Sequence, residues 1–279
     1  MAKIVYQGEP GAFSHLACRT YFPQLEPQAC ASFSSAFAVV RRGEADRAMI
    51  PVENTVAGRV SDIYHLLPEG GLYIIGEEYL PVHHQLLGVP GARLDDIKSV
   101  RSHPMALGQV RKRLEGLGIN PIADADTAGA ARKISERKDS SVGAIASRLA
   151  ADIYGLDILA EDIEDAAHNT TRFLILSDKP VDLANDGKAC VTSFVFKVRS
   201  VPSALYKALG GFATNGINIT KLESYMVGGS FQAAQFYADV EGHPDSQPMK
   251  HAMEELAFFS ESVMVLGTYP AHKTRSQRR

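Results

Sequence analysis

The sequence predicts an α/β protein in which a two-lobed domain is followed by a small βαββαβ unit. Over residues 1–182, strand-like apolar runs alternate with helical patterns, and turns rich in Ser, Thr and Asn follow the strands. Residues 189–270 give the order strand, helix, strand, strand, helix, strand, with Gly228-Gly229 as the turn of the central hairpin. That order is typical of a ferredoxin-like unit, and residues 178–188 are the predicted linker before it.

The first domain is predicted to form two lobes, because the chain crosses from one α/β pattern to another and back. Lobe one comprises about residues 1–80 and 163–182, and lobe two comprises about residues 81–162. Helix N-termini from both lobes are expected to line the cleft between them. Since ligands of open α/β sheets bind beyond the carboxyl ends of the strands, this cleft is the predicted binding site.

Composition and charge exclude several classes of protein. With 22% charged residues and a formal net charge of -3, the chain lacks the basic excess of a nucleic-acid-binding domain. No apolar segment approaches the length of about 20 residues needed to span a membrane, and the chain enters a strand too soon for a signal peptide. Residues 271–279 are basic and are predicted to form a flexible, solvated tail. We therefore expect a cytoplasmic protein that binds neither nucleic acid nor membrane.

Metal and disulfide sites are not predicted. The three cysteines, Cys18, Cys30 and Cys190, lie far apart and form no Cys-x-x-Cys pair, so reduced thiols are expected. The adjacent His83 and His84 lie on a strand-like run, where neighbouring side chains point to opposite faces. They are therefore poor co-ligands for one ion, and the sequence predicts chemistry without a metal.

Two polar turns in lobe one are the first candidate site segments. The turn at residues 8–14, which ends in Phe13-Ser14, places backbone N–H groups and a hydroxyl at a helix N-terminus, a natural site for an anion. It has neither the Gly-Lys-Ser/Thr of a P-loop nor the Gly-x-Gly-x-x-Gly of a dinucleotide site, and an ordinary strand–helix turn is the alternative. The turn at residues 53–58 begins with Glu53, which serves either as a general base or as a brace for the loop.

The stretch Asn169-Thr170-Thr171-Arg172-Phe173 joins two hydroxyls, a cation and an aromatic ring just before an apolar strand. One interpretation is a polar turn in which Arg172 pairs with a carboxylate of the acidic run at residues 161–165. The other is a binding site for a compact anion, because the other polar turns carry similar small hydrogen-bonding groups and no conventional nucleophile. Such a site would act mainly by positioning and hydrogen bonding.

Taken in order, these motifs resemble the prephenate dehydratase family with a C-terminal ACT regulatory domain. The resemblance covers about residues 3–269, and its motifs are highly specific in combination although each alone is weak. They are Gly8-x-x-Gly11-x-Phe13-Ser14, Pro51-Val52-Glu53-Asn54-Thr55-x-x-Gly58, Ser102-His103-Pro104, Thr127-Ala128, Tyr154-Gly155-Leu156 and Thr171-Arg172-Phe173.

The resemblance implies a catalytic domain with the fold of a type II periplasmic binding protein and its active site in the cleft. Within that site it ties Thr171 most directly to the chemistry, and Arg172 is expected to clamp a substrate carboxylate. Met105 stands where the family often has Gln. The expected substrate-binding residues, with the two phenylalanines flanking the ring, are Phe13, Ser14, Glu53, Asn54, Thr55, Gly58, Ser102, His103, Gln109, Thr127, Ala128, Thr170 and Phe173.

The reaction that the resemblance implies is the conversion of prephenate to phenylpyruvate with loss of water and CO2, in L-phenylalanine biosynthesis. Formation of the aromatic ring drives this hydro-lyase reaction, so no cofactor is expected. A threonine hydroxyl is too weak an acid to release a proton at neutral pH, but it can donate a hydrogen bond to the departing oxygen. Arogenate dehydratase is an alternative on the same site, and a non-catalytic amino-acid-sensing or solute-binding protein is an alternative of another class.

The resemblance also implies feedback inhibition by L-phenylalanine at the ACT domain of a homodimer or homotetramer. The chain departs from the family here, since Gly-Ala-Leu is common where residues 203–205 stand and Arg-Pro is common where Tyr225-Met226 stands. That departure bears on the affinity for phenylalanine and on its coupling to the active site. The expected effector-binding residues are Ala204, Leu205, Asn215, Gly216, Ile217, Asn218, Leu222, Glu223 and Ser224.

Overall fold

The computed structural model describes residues 2–226 and 234–276. The predicted hairpin turn Gly228-Gly229 lies outside these residues, as do residues 277–279 of the basic tail. The chain divides into two compact units, of which unit one is Met1–Val60 with Tyr79–Phe173 and unit two is Ser61–Glu78 with Leu174–Arg279. Within the described ranges, no helix combines the length and the apolar character that crossing a bilayer requires.

Up to residue 177, the chain is a succession of short strands and helices. A single turn of 3-10 helix at Leu94–Asp96 interrupts the connection between two strands of lobe two. In chain order the elements are β1 (Lys3–Gln7), α1 (Phe13–Tyr21), β2 (Glu26–Cys30), α2 (Phe33–Arg41), β3 (Arg47–Asn54), β4 (Gly58–Arg59), α3 (Ser61–Glu69), β5 (Tyr73–Pro81), β6 (Gln85–Gly88), β7 (Ser99–Ser102), α4 (Pro104–Gln109), α5 (Arg111–Leu117), β8 (Asn120–Ala123), α6 (Thr127–Arg137), β9 (Val142–Ala146), α7 (Arg148–Tyr154), β10 (Asp157–Ala160) and β11 (Thr170–Ser177).

The first sheet has the strand order β2-β1-β3-β11-β5, and the short β4 pairs with β3. Strand β1 runs parallel to both β2 and β3, and its residues Ile4 and Val5 are fully buried. Strand β2 was not predicted, because its sequence Glu-Pro-Gln-Ala-Cys has no apolar alternation. Its extended conformation comes from pairing with β1, a tertiary interaction that outweighs the weak local propensity.

The second sheet has the strand order β10-β6-β9-β7-β8 and forms lobe two. Strand β7 is parallel to β8 and β9, whereas β6 is antiparallel to β9 and β10. Leu86, Val100 and Ile145 are fully buried at its centre. Two mixed sheets with helices confirm the predicted two-lobed α/β class.

The predicted helix over residues 105–117 is two helices, because the chain leaves helical geometry at Val110. The carboxylate of Asp165 accepts hydrogen bonds from the backbone N–H groups of Lys112 and Arg113, and so caps the start of α5. The backbone N–H of Asp165 in turn donates to the carbonyl oxygen of Gln109, at 2.7 Å. Asp165 therefore satisfies both helix ends at the break and places Gln109 on the last turn of α4.

The turn before α1 packs directly on α7 of lobe two. Gly11 has φ +93°, and a Cβ added there would lie 2.9 Å from the Cα of Ala150, so this close approach requires glycine. The hydroxyls of Ser147 and Tyr154 donate to the carbonyl oxygens of Gly11 and Pro10, at 2.6 and 2.7 Å. These contacts fix the start of α1 against lobe two.

The second part of the chain has the predicted βαββαβ order. Its sheet has the strand order β13-β14-β12-β15, and every neighbouring pair is antiparallel, as in a ferredoxin-like unit. The elements are β12 (Cys190–Val198), α8 (Ala204–Thr214), β13 (Ile219–Met226), β14 (Ala234–Glu241), α9 (Gln247–Phe259), β15 (Ser260–Pro270) and α10 (Lys273–Ser276).

Residues 61–78, predicted as part of lobe one, cluster instead with unit two. The ring of Tyr64 on α3 meets the ring of Tyr237 edge-on, with 5.3 Å between their centres, and lies 6.2 Å from the ring of Tyr225. A second contact joins β15 to β5. A Cβ added at Gly267 would lie 2.0 Å from the carbonyl oxygen of Ile74, so only glycine fits there. Aromatic packing and this close backbone approach explain the clustering.

The basic tail was predicted to be solvated, but its described part is held by buried charges. Arg275 of α10 donates to Glu77, at 2.8 Å, and to Asp239, at 3.3 Å, and both carboxylate side chains are fully buried. It also donates to the hydroxyl of Thr220, at 2.6 Å. Two acids from distant parts of the sequence share this cation, which no local pattern in the tail indicates.

We expect Arg275→Ala to lower the free energy of unfolding by about 3–5 kcal/mol, because it leaves two buried carboxylates without this cation. Urea unfolding followed by circular dichroism measures the change. Lys207→Ala on α8 is the matched control, since Lys207 is exposed and its loss should change stability by less than about 0.5 kcal/mol. Equal stability of the two variants would show that the tail contributes nothing.

Candidate functional site

The candidate site forms where four segments of unit one meet. They are the C-terminal end of β3, the N-terminal end of β11, the segment before β6 and the last turn of α4. Backbone hydrogen bonds join the first three, since the N–H of Thr55 donates to the carbonyl oxygen of Thr170, at 3.0 Å, and that of Val82 donates to Asn169, at 2.8 Å. The end of one strand and the start of another are thereby fixed side by side.

Three side-chain amides form a closed ring of hydrogen bonds at this point. The amide nitrogen of Asn54 donates to Asn169 Oδ1, at 2.8 Å, and that of Asn169 donates to Gln109 Oε1, at 3.1 Å. The amide nitrogen of Gln109 closes the ring by donating to Asn54 Oδ1, at 3.3 Å. Every donor points the same way round, and we call Asn54, Gln109 and Asn169 the amide ring.

The backbone sets the sense of the amide ring. Asn54 Oδ1 accepts from the N–H groups of Val56 and Ala57, at 2.9 and 2.8 Å. Because a backbone N–H can only donate, this atom of Asn54 must be its oxygen and the other its NH2 group. Gln109 must then present its own NH2 group to that oxygen, so the orientation of both amides follows.

Thr171 is attached to the amide ring as an acceptor. The second hydrogen of the Asn54 amide points to Thr171 Oγ1, at 3.0 Å. Since the amide nitrogen has only donors to offer, the threonine oxygen must accept, and its own proton is left for another acceptor. The arrangement makes Thr171 a hydrogen-bond donor toward whatever binds next to it.

His84 contacts the ring from the side of Gln109. Its Nε2 lies 2.7 Å from Gln109 Oε1, and its ring meets Phe13 edge-on with 5.2 Å between centres. The residue is 2% exposed, and burial lowers the pKa of its imidazole. Neither His84 nor Asn169 was among the predicted substrate-binding residues, although Asn169 stands directly before Thr170-Thr171.

The buried Arg172 forms an ion pair with the partly exposed Glu53, with Nη1 and Oε1 3.0 Å apart. Arg172 is 3% exposed and follows Thr171 on a strand, so the two side chains leave β11 on opposite faces. The carboxylate that pairs with Arg172 is Glu53 and not a residue of the acidic run at residues 161–165, so that interpretation is not met. Arg172 braces the end of β3 against β11, and its expected contact with a substrate carboxylate stays a prediction.

The other predicted residues around the ring have mixed roles. The hydroxyl of Thr55 donates to the carbonyl oxygen of His168, at 2.6 Å, and accepts from the N–H of Thr170, at 2.9 Å. Both contacts tie the loop after β3 to the start of β11. Ser14 lies in the first turn of α1, where no side chain caps the helix, and is nearly buried. Gly58, on β4, is exposed.

Several predicted residues make contacts that do not involve the amide ring. Ser102 is fully buried and donates its hydroxyl to the carbonyl oxygen of Ile145, at 2.6 Å, so lobe two uses that hydroxyl internally. Phe173 is 1% exposed and belongs to the core, where it offers no surface to a ligand ring. His103 is exposed and caps α4 through its own ring nitrogen. Thr127 and the buried Ala128 start α6.

One cluster of unit one has the composition of a metal site. Ligand atoms of His83, Asp162 and Glu164 lie within 4.8 Å of one another, with 2.8 Å between His83 Nδ1 and Glu164 Oε1. Both carboxylates already accept hydrogen bonds, Glu164 from the backbone N–H of His84 and Asp162 from the amide of Gln85. Hydrogen bonding thus accounts for the cluster. His83 is exposed and His84 buried, in agreement with the predicted opposite faces.

The predicted effector residues lie at the start of α8, in the turn after its end and on β13, an edge strand of unit two. Asn215 donates to the carbonyl oxygen of Gly211, at 2.8 Å, and Gly216 turns the chain with φ +67°. Leu205 and Ile217 pack, partly buried, on the core of unit two, and Ala204 is buried.

Alternation along β13 divides the remaining effector residues. Leu222 and Ser224 are exposed on one face, whereas Glu223 is half-buried on the other and pairs with Lys221, at 2.9 Å. Asn218, at the start of this segment, is exposed and donates to Glu241, at 3.3 Å. A ligand at this edge strand would therefore meet Leu222 and Ser224 directly, and Glu223 from behind the strand.

Comparisons with known proteins concern the chain as a whole. A family model described as prephenate dehydratase matches residues 4–181. A protein of Komagataeibacter europaeus, described as a bifunctional N-acyl-homoserine lactone acylase/prephenate dehydratase, is 49% identical over 98% of this chain and 97% of its own. An Arabidopsis thaliana protein, described as arogenate dehydratase/prephenate dehydratase 1, chloroplastic, is 42% identical over 98% of this chain and 73% of its own.

A solved structure shows the same fold. The prephenate dehydratase of Arthrobacter aurescens, determined in complex with L-Phe, matches with a TM-score of 0.88 and 29% identity. The match covers 97% of this chain and 90% of that one, so it includes unit two as well as the two lobes.

The amide ring makes a prediction about stability that is independent of activity. Asn54→Asp keeps the oxygen for Val56 and Ala57 but replaces the donor to Asn169 and Thr171 by an acceptor. We expect the free energy of unfolding at neutral pH to fall by about 1–3 kcal/mol, because an acceptor then faces Asn169 Oδ1. Urea unfolding measures the change, with the exposed Asn120→Asp as the control. Equal stability of the two variants would contradict the assigned amide orientation.

Proposed function

The chain belongs to the prephenate dehydratase family, and we propose that it converts prephenate to phenylpyruvate with loss of water and CO2. The observation that supports this most directly is the hydrogen bond from Asn54 to Thr171, in which the threonine oxygen accepts and its own proton is left for another acceptor. Prephenate carries a hydroxyl on the ring carbon opposite its carboxylate, and that hydroxyl must leave. A fixed neutral donor suits this task.

In the proposed reaction, the ring of prephenate loses its carboxylate as CO2 and its hydroxyl group as water. The electron pair of the bond to the ring carboxylate enters the ring as CO2 departs, and the C–O bond on the opposite carbon breaks with its electron pair on oxygen. Thr171 donates a hydrogen bond to that oxygen as negative charge develops, and the oxygen leaves as water after taking a proton from solvent. One such positioned donor is worth about 2.7–4 kcal/mol in comparable sites.

Binding of the substrate carboxylates is assigned to helix N-termini and neutral donors. The first turn of α1 has no side-chain cap, so its N–H groups and the hydroxyl of Ser14 are suited to one carboxylate. The start of α6 at Thr127 is the second candidate, and Phe13 provides an apolar wall near His84. Arg172 contributes by holding Glu53 and the end of β3 in place.

Prephenate is the favoured substrate, because the nearby carboxylates already have hydrogen-bonding or charged partners. Arogenate has an ammonium group in place of the keto group of prephenate, and a buried ammonium needs a carboxylate partner. Glu53 is paired with Arg172, and Glu164 holds His83 and the backbone of His84. Parallel assays with both substrates, reading phenylpyruvate and phenylalanine, decide the preference.

Hydrolysis of N-acyl-homoserine lactones is a second candidate, because the Komagataeibacter relative is described as having that activity besides dehydration. The cysteines offer little support as nucleophiles. Cys18, Cys30 and Cys190 are free and buried, and burial raises the pKa of the Cys18 thiol to about 12. Buried free thiols agree with a cytoplasmic enzyme. An assay for hydrolysis of the N-acyl amide bond, which releases a fatty acid and homoserine lactone, on wild type and Thr171→Ala shows whether one site serves both reactions.

Unit two is assigned as an ACT domain that binds L-phenylalanine and pairs with a second copy. The Arthrobacter relative was solved with L-Phe, and unit two carries exposed apolar side chains of a kind that association covers. Tyr206 on α8 is 82% exposed and Phe258 on α9 is 67% exposed. A homodimer, or a homotetramer built from two dimers, is the proposed assembly.

Thr171→Ala should lower kcat with prephenate by about 10²-fold or more, because it removes the donor to the leaving oxygen. Thr171→Ser keeps the hydroxyl and is the matched control, for which we expect kcat within about tenfold of wild type. Initial rates of phenylpyruvate formation measure both. Turnover by Thr171→Ala at the wild-type rate would remove Thr171 from the mechanism.

L-Phenylalanine should bind unit two and inhibit turnover, with coupling of about 1–3 kcal/mol between the two sites. Titration calorimetry and initial rates at increasing phenylalanine measure binding and inhibition. D-Phenylalanine is the control, since a chiral site that holds both amine and carboxylate discriminates the enantiomers. Absence of binding heat and of inhibition up to the solubility limit would contradict the assignment.

A further inference from the structure

We propose that His84 is a positioning residue of the dehydration site, acting as a neutral imidazole protonated on Nε2 that holds Gln109 and thereby the amide ring. The proposal rests on the proposed function of that site. None of the sequence motifs includes His84, and its contact with the substrate-facing threonine runs through Gln109 and Asn54.

The tautomer of His84 follows from the backbone through two amides. The N–H groups of Val56 and Ala57 identify the oxygen of Asn54, and that oxygen requires the NH2 group of Gln109. The remaining atom, Gln109 Oε1, can only accept, and it lies 2.7 Å from His84 Nε2. Nε2 must therefore carry a proton, and in the neutral ring Nδ1 carries none.

The other ring nitrogen has no hydrogen-bond partner among the described residues. His84 Nδ1 is a buried atom without a donor or an acceptor within bonding distance. A second proton placed there would be desolvated and unpaired, which is costly. Burial accordingly lowers the pKa of the imidazole; Gln109 and the carboxylate of Glu164 oppose that shift, and His83 adds to it. His84 thus remains neutral at pH 7, and a charge appears only at pH values below its ordinary range.

Backbone contacts hold the imidazole where Gln109 needs it. The N–H of His84 donates to Glu164 Oε2, at 2.8 Å, and its carbonyl oxygen accepts from the N–H of Ile163, at 2.9 Å. Phe13 from α1 packs against the ring edge-on. His84 is thereby fixed by two separate parts of unit one, the segment with Ile163 and Glu164 and helix α1, which suits a group whose task is to orient another.

The consequence concerns the direction of every donor in the site. Because the Nε2–H group of His84 donates to Gln109 Oε1, the glutamine oxygen accepts from two donors, the other being the amide of Asn169. Without that proton the glutamine amide is held by fewer contacts and can turn, and the ring loses the support that keeps Asn54 aligned with Thr171. Loss of His84 should therefore reduce the rate of the chemical step more than the binding of substrate.

Two substitutions separate this role from acid–base catalysis. Leucine at position 84 removes the donor, whereas glutamine can place an amide N–H near the position of Nε2. We expect His84→Leu to lower kcat by about tenfold or more with KM changed by less than about threefold, and His84→Gln to recover most of the loss. The pH profile of kcat should keep its shape in His84→Gln between about pH 5.5 and about pH 8, because a neutral donor does not titrate there.

The adjacent His83 provides the control. It is exposed, and His83→Gln should leave kcat within about twofold of wild type. Wild-type kcat in His84→Leu would overturn the proposal. A His84→Gln variant as slow as His84→Leu, with one limb of the pH profile lost, would overturn it in favour of an acid or base catalyst.

Nitrogen NMR of the ligand-free protein tests the tautomer without reference to activity. We expect one imidazole, assigned by its absence in His84→Gln, to show a protonated Nε2 and a bare Nδ1 both at pH 7 and at the ordinary histidine pKa of about 6.5. A proton on Nδ1, or titration at the ordinary pKa of histidine, would contradict the proposal. If wild type does not turn over prephenate at all, the proposed function fails, while this spectrum still decides the state of His84.

Discussion

The oxygen of Asn54, held by the N–H groups of Val56 and Ala57, is the contact on which the candidate site depends. Those two donors cannot reverse, so the amide of Asn54 has one orientation. From it follow the orientation of Gln109 and the acceptor role of Thr171. The conformation of the loop after β3 therefore determines where Thr171, on strand β11, offers its proton. Cooperative networks of this kind are worth more than their separate bonds.

Strand alternation lets the same two segments do two different tasks. On one face, Asn54 of β3 donates a hydrogen bond to Thr171 of β11, and on the other face the partly exposed Glu53 pairs with the buried Arg172. Removal of Glu53 would leave the buried guanidinium without this partner, so the pair fixes the strand ends against each other. Thr171 is thereby positioned by charges that it does not itself contact.

The sequence predicts the fold class, because the order of strands and helices leaves local patterns. The polar turns after β3 and before β11 single out Asn54 and Thr171, which the structure joins by a hydrogen bond, whereas Gln109 was expected only from the family resemblance. The sequence did not predict His84, because it is one of two histidines on a short strand-like run. Only tertiary packing shows which of the two is buried. Strand β2 was not predicted either, because its residues carry no apolar alternation. Contacts between distant segments, such as that of Arg275 with Glu77, leave no local signal.

The departure of unit two from the family pattern has a structural meaning at Tyr225. This residue stands where the family commonly has Arg, and it is 8% exposed, with its ring 5.1 Å from that of His65 and 6.2 Å from that of Tyr64 on α3. Its side chain therefore extends the core toward α3 and away from the exposed face that carries Leu222 and Ser224. Any ligand bound on that outer face is recognised without a cation from position 225. If unit two binds an amino acid on that face, as proposed above, backbone donors around Gly216 and the amides of Asn215 and Asn218 would hold its carboxylate, and these are neutral donors like those of the amide ring.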